Sequence, residues 1–262
     1  MTNQIFYQEE NMSLKTEYEN QQQYRKWSLI VNKLPIKSDY VVAELGCGTG
    51  AFAEILSKKV KEVIAIDLNQ NLLEILENKK IDNITILQKD ISDLSYIPKE
   101  IDGIFSSFAI AYFPNKMEQI LKNWFDKLKN DGWIAIIEID DLLRGHTPLS
   151  KETLNKLAVF EDEAKNDGIY DFRAGRKISP ILKNLGMEIL LDEDLEDSEL
   201  TSSGIISDEI CIMWENRLNR LSFDKFFQKD EIEAIKSDFL SLLKSTKHIN
   251  QTKVKFIIAK KS

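Results

Sequence analysis

Three glycines at alternate positions, Gly46, Gly48 and Gly50, stand between an apolar run at residues 41–45 and a helix-forming segment that follows. With no Cβ in the way, such a loop can turn sharply and let a ligand lie against its backbone. Asp67 closes the next apolar run and Asp90 the one after it. A carboxylate in the first place can accept hydrogen bonds from both hydroxyls of a ribose. One in the second can take the amino group of an adenine. Taken singly, each has an ordinary explanation: a glycine-rich turn, or an acid beside the positive end of a helix. Loop, acid and acid at three successive strand ends are harder to explain as turns. Together they read as an adenosine site. Residues 46–51 also fit the GxGxxA form of the dinucleotide fingerprint, so the pattern alone admits more than one adenosine ligand.

The elements that would position these residues alternate regularly. Apolar runs at 41–45, 63–66, 84–87, 103–108 and 133–139 are separated by segments with helical periodicity. Phe52, Ile55 and Leu56 mark one such segment. Leu72, Leu73, Ile75 and Leu76 mark the next, capped by Asn69, and Met117, Ile120, Leu121, Trp124 and Leu128 the third. Strand–helix alternation of this kind implies right-handed crossovers and a parallel sheet covered on both faces. In such sheets ligands bind outside the carboxyl ends of the strands, where the glycine loop falls.

Before this core, residues 14–34 have a helical pattern through Trp27, Ile30, Val31 and Leu34, ended by Pro35. After it, helices are expected at 150–165 and 175–185, then a sixth strand at 187–191. Two further helices carry Ile206, Ile210, Met213 and Trp214, then Ile232, Ile235 and Phe239. A last strand is expected at 253–259.

The chain has 262 residues with 35 basic and 43 acidic side chains, a net charge of −8. An acidic balance argues against broad nucleic-acid binding, which needs basic surface to displace counterions. Two cysteines, Cys47 and Cys211, make no disulfide framework, and two separated histidines make no multi-histidine metal site. No metal is therefore expected. There is no signal-peptide pattern and no apolar run long enough to span a bilayer, which gives the expectation of a cytoplasmic protein without membrane association.

Residues 41–53, VVAELGCGTGAFA, resemble the first motif of class I S-adenosylmethionine-dependent methyltransferases, including the acid two positions before the first glycine. VIAIDLN, LQKDI, IDGIFSSFAIAYFPN and DGWIAIIEID resemble the motifs that follow in that family, in order and spacing across residues 40–140. The resemblance implies an α/β, Rossmann-like sheet of seven mostly parallel strands with helices on both faces. Its last strand would be antiparallel beside the fifth. One domain over 1–262 is expected: tail and helical cap at 1–38, cofactor-binding core at 39–192, a helical insertion acting as substrate lid at 193–252, and the final strand at 253–262.

By the same resemblance the cofactor is S-adenosyl-L-methionine, with S-adenosyl-L-homocysteine as product. Gly46, Cys47, Gly48 and Gly50 would line it and Glu44 would lie beneath, toward its amino group. Asp67 would take the ribose, Leu68 the adenine face, Asp90 and the backbone of Ile91 the adenine edge. Ser107 and Phe108 would face the methionine end. Ala111 stands where many relatives carry His or Gln, so no polar role is expected there.

Methyl transfer needs collinear positioning more than acid–base chemistry, because the leaving thioether is neutral. A base is needed only for a nucleophile that arrives protonated. His146 is the candidate base, with Asp140 or Asp141 to orient it or to bind a substrate amine. His248 reads as surface. Arg173, in a GR-type segment with Arg176 and Lys177, is a candidate for a substrate carboxylate; Tyr24 and Trp214 are candidates for the acceptor pocket wall, and Tyr18 and Trp27 for a lid. The expectation is a small-molecule oxygen or nitrogen acceptor and a monomer or homodimer. The alternatives are an NAD(P)-dependent oxidoreductase, a methyltransferase acting on RNA or protein, and a non-catalytic protein that keeps the fold.

Overall fold

The computed structural model describes residues 20–97 and 99–261; Tyr18 and the first turns of the expected N-terminal helix lie outside them. The sheet contains β1 (Val41–Leu45), β2 (Glu62–Asp67), β3 (Ile84–Gln88), β4 (Ile101–Ser107), β5 (Leu128–Asp140), β7 (Glu188–Leu195) and β9 (Lys253–Lys260). Their order across the sheet is β3-β2-β1-β4-β5-β9-β7. β1 to β5 pair in parallel, whereas β9 runs antiparallel between β5 and β7. The order reverses at β1 and β4, which places the glycine loop at the switch point. The expected seven-stranded, mostly parallel architecture is the one observed.

Both faces are covered. On one, α4 (Met117–Lys127) and α6 (Gly175–Asn184) bury Ile120, Trp124, Ile178 and Leu182 against Ile104, Ile134 and Ile257. On the other, α2 (Ala51–Ser57) sits beside α1 (Trp27–Val31), and this core continues through α5 (Lys151–Asn166), α7 (Asp208–Arg220) and α8 (Lys229–Leu243). α3 (Gln70–Glu77) lies over β2 and β3, and its start is capped as expected by Asn69, whose side chain accepts from the Asn71 amide. Among the described residues no helix is long and apolar enough to cross a membrane.

The structure departs from the sequence reading in three places. The N-terminal segment is a single 3-10 turn at Gln22–Tyr24 followed by the five-residue α1, rather than one continuous helix. Between them Arg25 is extended (φ −87°, ψ 118°), because its side chain is drawn to two carboxylates beyond β7. The sixth long strand continues to Leu195, past the expected end. A second, two-stranded sheet, β6 (His146–Thr147) with β8 (Ile249–Asn250), was not expected. It ties the end of the helical insertion to the segment after β5.

Candidate active site

The glycine loop is held shut by its own amides. The Gly46 and Cys47 N–H groups donate to the Ile66 carbonyl at 2.8 and 3.0 Å, and Gly50 donates to Cys47 at 2.9 Å. The Gly48 amide donates to Asp67 Oδ2 at 2.8 Å, while Asp67 Oδ1 accepts from the Asn69 amide at 2.9 Å. Asp67 is thereby locked beneath the loop; with the Leu68 amide also donating to it, one lone pair of the carboxylate is left for a ligand hydroxyl. Gly46 has φ +77°, and a Cβ there would stand 2.7 Å from the Ala109 Cβ. Any larger residue is excluded twice, by its backbone and by its neighbour.

Glu44, the last-but-one residue of β1, is fully buried under this loop. The Ala53 amide donates to its carboxyl group, but Oε2 has no partner. Burial, and then the nearby Asp67, push its pKa up to about 8. Among the described residues no lysine, arginine or histidine pairs with Glu44 or Asp67. The floor of the loop is acidic and has no protein cation to balance it.

The other strand ends fall around it. Leu68 is exposed beside Asp67, an apolar surface open to a flat ring. Asp90 is exposed, its Oδ1 accepting the Ser92 amide at 2.8 Å in an Asx turn. Ile91 is buried and its carbonyl accepts from Trp124 Nε1 at 2.7 Å. Ser107 ends β4. Phe108 follows with φ +55°, a left-handed conformation costly for an aromatic residue, fixed by the hydrogen bond its amide N–H donates to the Ile137 carbonyl at 2.9 Å.

A cleft of about 550 Å³ opens over the carboxyl ends of β4, β5 and β7. Trp27, Ile30, Phe108, Ile137, Leu195 and Val254 provide its apolar lining, with Tyr24 among the residues around it. Trp27 packs on Phe52 and Phe105 at ring distances of 5.1 and 6.3 Å, which fastens the N-terminal segment to the helix that follows the glycine loop. Three ion pairs join that segment to the end of β7: Arg25 to Asp197, Lys26 to Glu196, and Lys33 to Glu193. Arg25 also reaches Glu199 at 2.9 Å, and its guanidinium lies 4.9 Å over the Phe108 ring. Sequence reasoning missed Arg25, Asp197 and Glu199. Their partners lie some 170 positions apart, and no local pattern links them.

Other expected residues fall elsewhere. His146 is not on a ligand-facing loop. It lies in β6 at 1% exposure, its ring against Trp214 and Phe239 and its Nδ1 2.9 Å from His248 Nε2. Burial, with His248 and Arg217 nearby, holds its pKa down to about 3, and the ring does not line the cleft. His248, expected at the surface, is the buried other half of the pair. Trp214 turns inward, its Nε1 donating to the Glu199 carbonyl at 3.2 Å, instead of lining the cleft. Asp140 is buried and clasped by Arg176 Nε at 2.7 and 2.9 Å, and so does not orient His146. Arg173 pairs with Asp141 at 2.6 Å rather than presenting a free guanidinium. Both expectations end in one ion-pair cluster at the end of β5.

Glu138, two residues before Asp140 on β5, is a buried acid to which the sequence reading gave no role. It is fully buried and accepts the backbone amides of Ala111 (3.2 Å) and Ile139 (2.8 Å). Burial raises its pKa to about 7. Ala111 thus contributes its backbone to this floor, although its side chain contributes nothing polar.

Residues 43–136 match a family described as a methyltransferase domain. The ribosomal RNA small subunit methyltransferase A of Lachnoclostridium phytofermentans is 35% identical over 79 residues, 28% of this chain and 27% of that protein. The chain therefore spans about a quarter of that relative's length. The carboxy-S-adenosyl-L-methionine synthase of Nautilia profundicola is 25% identical over 188 residues, 70% of this chain and 76% of its own. Among solved structures, mycolic acid cyclopropane synthase CmaA1 complexed with SAH and CTAB has a TM-score of 0.61 over 100% of this chain and 90% of its own, at 14% identity. At that identity the likeness is one of fold.

Proposed function

We propose, on the premise that this chain carries a class I S-adenosylmethionine-dependent methyltransferase core, that it transfers the sulfonium methyl to an oxygen or nitrogen of a small acceptor seated in the cleft. The observation that carries the cofactor half is the floor of the glycine loop. Glu44 and Asp67 lie under it without a protein cation, and the Gly46, Cys47, Gly48 and Gly50 amides are already bonded within the fold. A pyrophosphate needs free amides and positive potential, and would meet occupied amides and two acids. A cationic adenosine ligand without phosphates suits this floor. The site thus fits S-adenosylmethionine better than a nicotinamide dinucleotide.

When bound, S-adenosylmethionine supplies an electrophilic methyl whose leaving group is a neutral thioether. Asp67 would hold the ribose, Leu68 would cover the adenine, and the glycines would let the ligand approach the backbone. The task left to the protein is alignment, worth several kcal/mol when reacting atoms are held near contact. Phe108, Ile137, Trp27 and Tyr24 would position an acceptor over the strand ends, with the N-terminal segment as roof. A cleft of about 550 Å³ is in the range of small-molecule pockets. No base faces it from His146, so the reading favours an acceptor nucleophilic at working pH, or one deprotonated by water.

The test is calorimetric titration with S-adenosylmethionine, S-adenosylhomocysteine and NADH, followed by a methyl-acceptor screen over metabolites and ribosomal RNA. Micromolar binding of the first two alone supports the cofactor assignment. Binding of NADH alone overturns it, and methylation of RNA alone overturns the small acceptor.

A further inference from the structure

The glycine-loop floor contains a carboxyl group whose second oxygen has no hydrogen-bond partner among the described residues. Buried polar atoms are nearly always satisfied, so an orphan beneath a ligand loop marks an interaction that the protein leaves to something else. The groups around Glu44 narrow what that is. From β2, Asp67 faces it; from the loop, Cys47; from α2, the Ala53 amide. The remaining acid of α2, Glu54, is turned outward to Lys58 and Lys79. β4 places Phe105 opposite Glu44 in register, and its one acid, Asp102, is turned to the Val41 amide and Lys129.

Two acids therefore share a dry space without a countercharge, and both cannot ionise cheaply there. The hydrogen bonds decide which one keeps the proton. Asp67 accepts the Gly48, Leu68 and Asn69 amides, which stabilise its charged form, whereas Glu44 accepts only Ala53. Burial holds the Cys47 thiol well above its ordinary value, so it stays protonated and supplies nothing.

We propose that ligand binding at the glycine loop is proton-linked: Glu44 carries a proton in the free protein and gives it up to solvent when a cationic ligand settles over the loop. The proposal rests on the cofactor reading above. The exchange balances: a neutral carboxyl and a cationic group become a carboxylate–cation pair, and one proton goes to the buffer. The carboxylate then has a countercharge close above it, and the pair forms without leaving net charge in the dry floor. Charge discrimination follows, because an anionic or neutral competitor gives Glu44 no reason to ionise.

The test uses the full chain and S-adenosylhomocysteine, which bears an ammonium group and does not react. Titration at pH 7 in phosphate, Hepes and Tris should give an observed enthalpy that depends on buffer ionisation enthalpy, with a slope of about one proton released. Affinity should tighten about tenfold per unit between pH 6 and 7.5. Glu44→Gln keeps the shape of the neutral acid; it should fold, and should bind with no buffer dependence and a flat pH profile. Infrared difference spectra should show a protonated-carboxyl band lost on binding in the wild type and absent from the variant. Buffer-independent binding by the wild type, or a slope retained in Glu44→Gln, overturns the proposal. Absence of binding in every buffer overturns the cofactor reading itself, and the proposal with it.

Discussion

His146 Nδ1 lies 2.9 Å from His248 Nε2, with the two rings 6° from parallel, and His248 Nδ1 lies 3.0 Å from the Gly204 carbonyl. Only one proton arrangement satisfies this chain. His248 must donate from Nδ1, so its Nε2 accepts, so His146 must donate from Nδ1. Both rings are neutral: a proton on His248 Nε2 would break the bond between them, and one on His146 Nε2, which has no partner among the described residues, would bury a charge. Each folded-state pKa is depressed, by burial first. At this pair the unfolded chain binds more protons below pH 6.5, so the pair's contribution to stability falls as pH drops from there toward 3, opposite in sign to the contribution of the raised carboxyls of Glu44 and Glu138. Chemical denaturation in a pH series should therefore be read against a His146→Asn, His248→Asn double variant. Relative to that variant, the wild type should lose at least about 2 kcal/mol between pH 6.5 and 4. An unchanged slope would show that the pair does not govern acid stability.

Gly46 is fixed by two separate constraints, and they can be separated experimentally. Gly46→Ala should cost about 2–4 kcal/mol, combining left-handed strain with collision against Ala109. Adding Ala109→Gly should recover the collision part while the backbone part remains. Thermal melts of the two variants measure the division; no recovery in the double variant would place the whole cost in the backbone.

Arg25 is nearly buried between two carboxylates, so its loss leaves Asp197 and part of Glu199 uncompensated. Arg25→Ala should destabilise by about 3–5 kcal/mol. It should also release the segment from Gln22 to Leu34 to limited proteolysis before the rest of the chain opens. Lys26→Ala, at an exposed pair, should cost under about 1 kcal/mol. Equal effects from the two substitutions would contradict the burial argument.

Asp67 organises the loop through the Gly48 and Asn69 amides, and in the proposed function it also takes the ribose. Asp67→Ala should weaken S-adenosylhomocysteine binding at least tenfold, since each charge-assisted bond contributes about 1.5–3 kcal/mol. Asp67→Asn keeps the acceptor oxygen for one backbone amide and should fall between. Calorimetry measures both, and unchanged affinity in the alanine variant would remove the ribose from this position. His146→Ala, by contrast, should lower stability without altering cofactor affinity.

The core over residues 41–140 was legible because its signals are local. Apolar runs, helical periodicity and glycines needed for left-handed turns all act within a few positions, and Asn69 caps α3 as its type demands. The cleft wall was illegible for the opposite reason. The 14–34 pattern read as one helix because periodicity reports which residues are apolar, and is blind to an arginine pulled away by distant carboxylates. His146 misled similarly: a histidine after β5 falls on the ligand side by chain position. Only the packing of α7 and α8 around it, with His248 from before β9, turns it into the core.

β9 enters the sheet between β5 and β7, and β7 has no other neighbour in it. During synthesis, β1 to β5 can pair as they emerge from the ribosome, each next to a strand already made. β7 and the residues it offers to the cleft, Glu193 to Asp197, must wait for residues 253–260 before they have an edge to join. The glycine loop can therefore take shape early, while the cleft closes in a late step of high contact order. Translation arrest before that strand should yield a chain with a formed glycine loop but an open cleft, which limited proteolysis of the arrested chain would show.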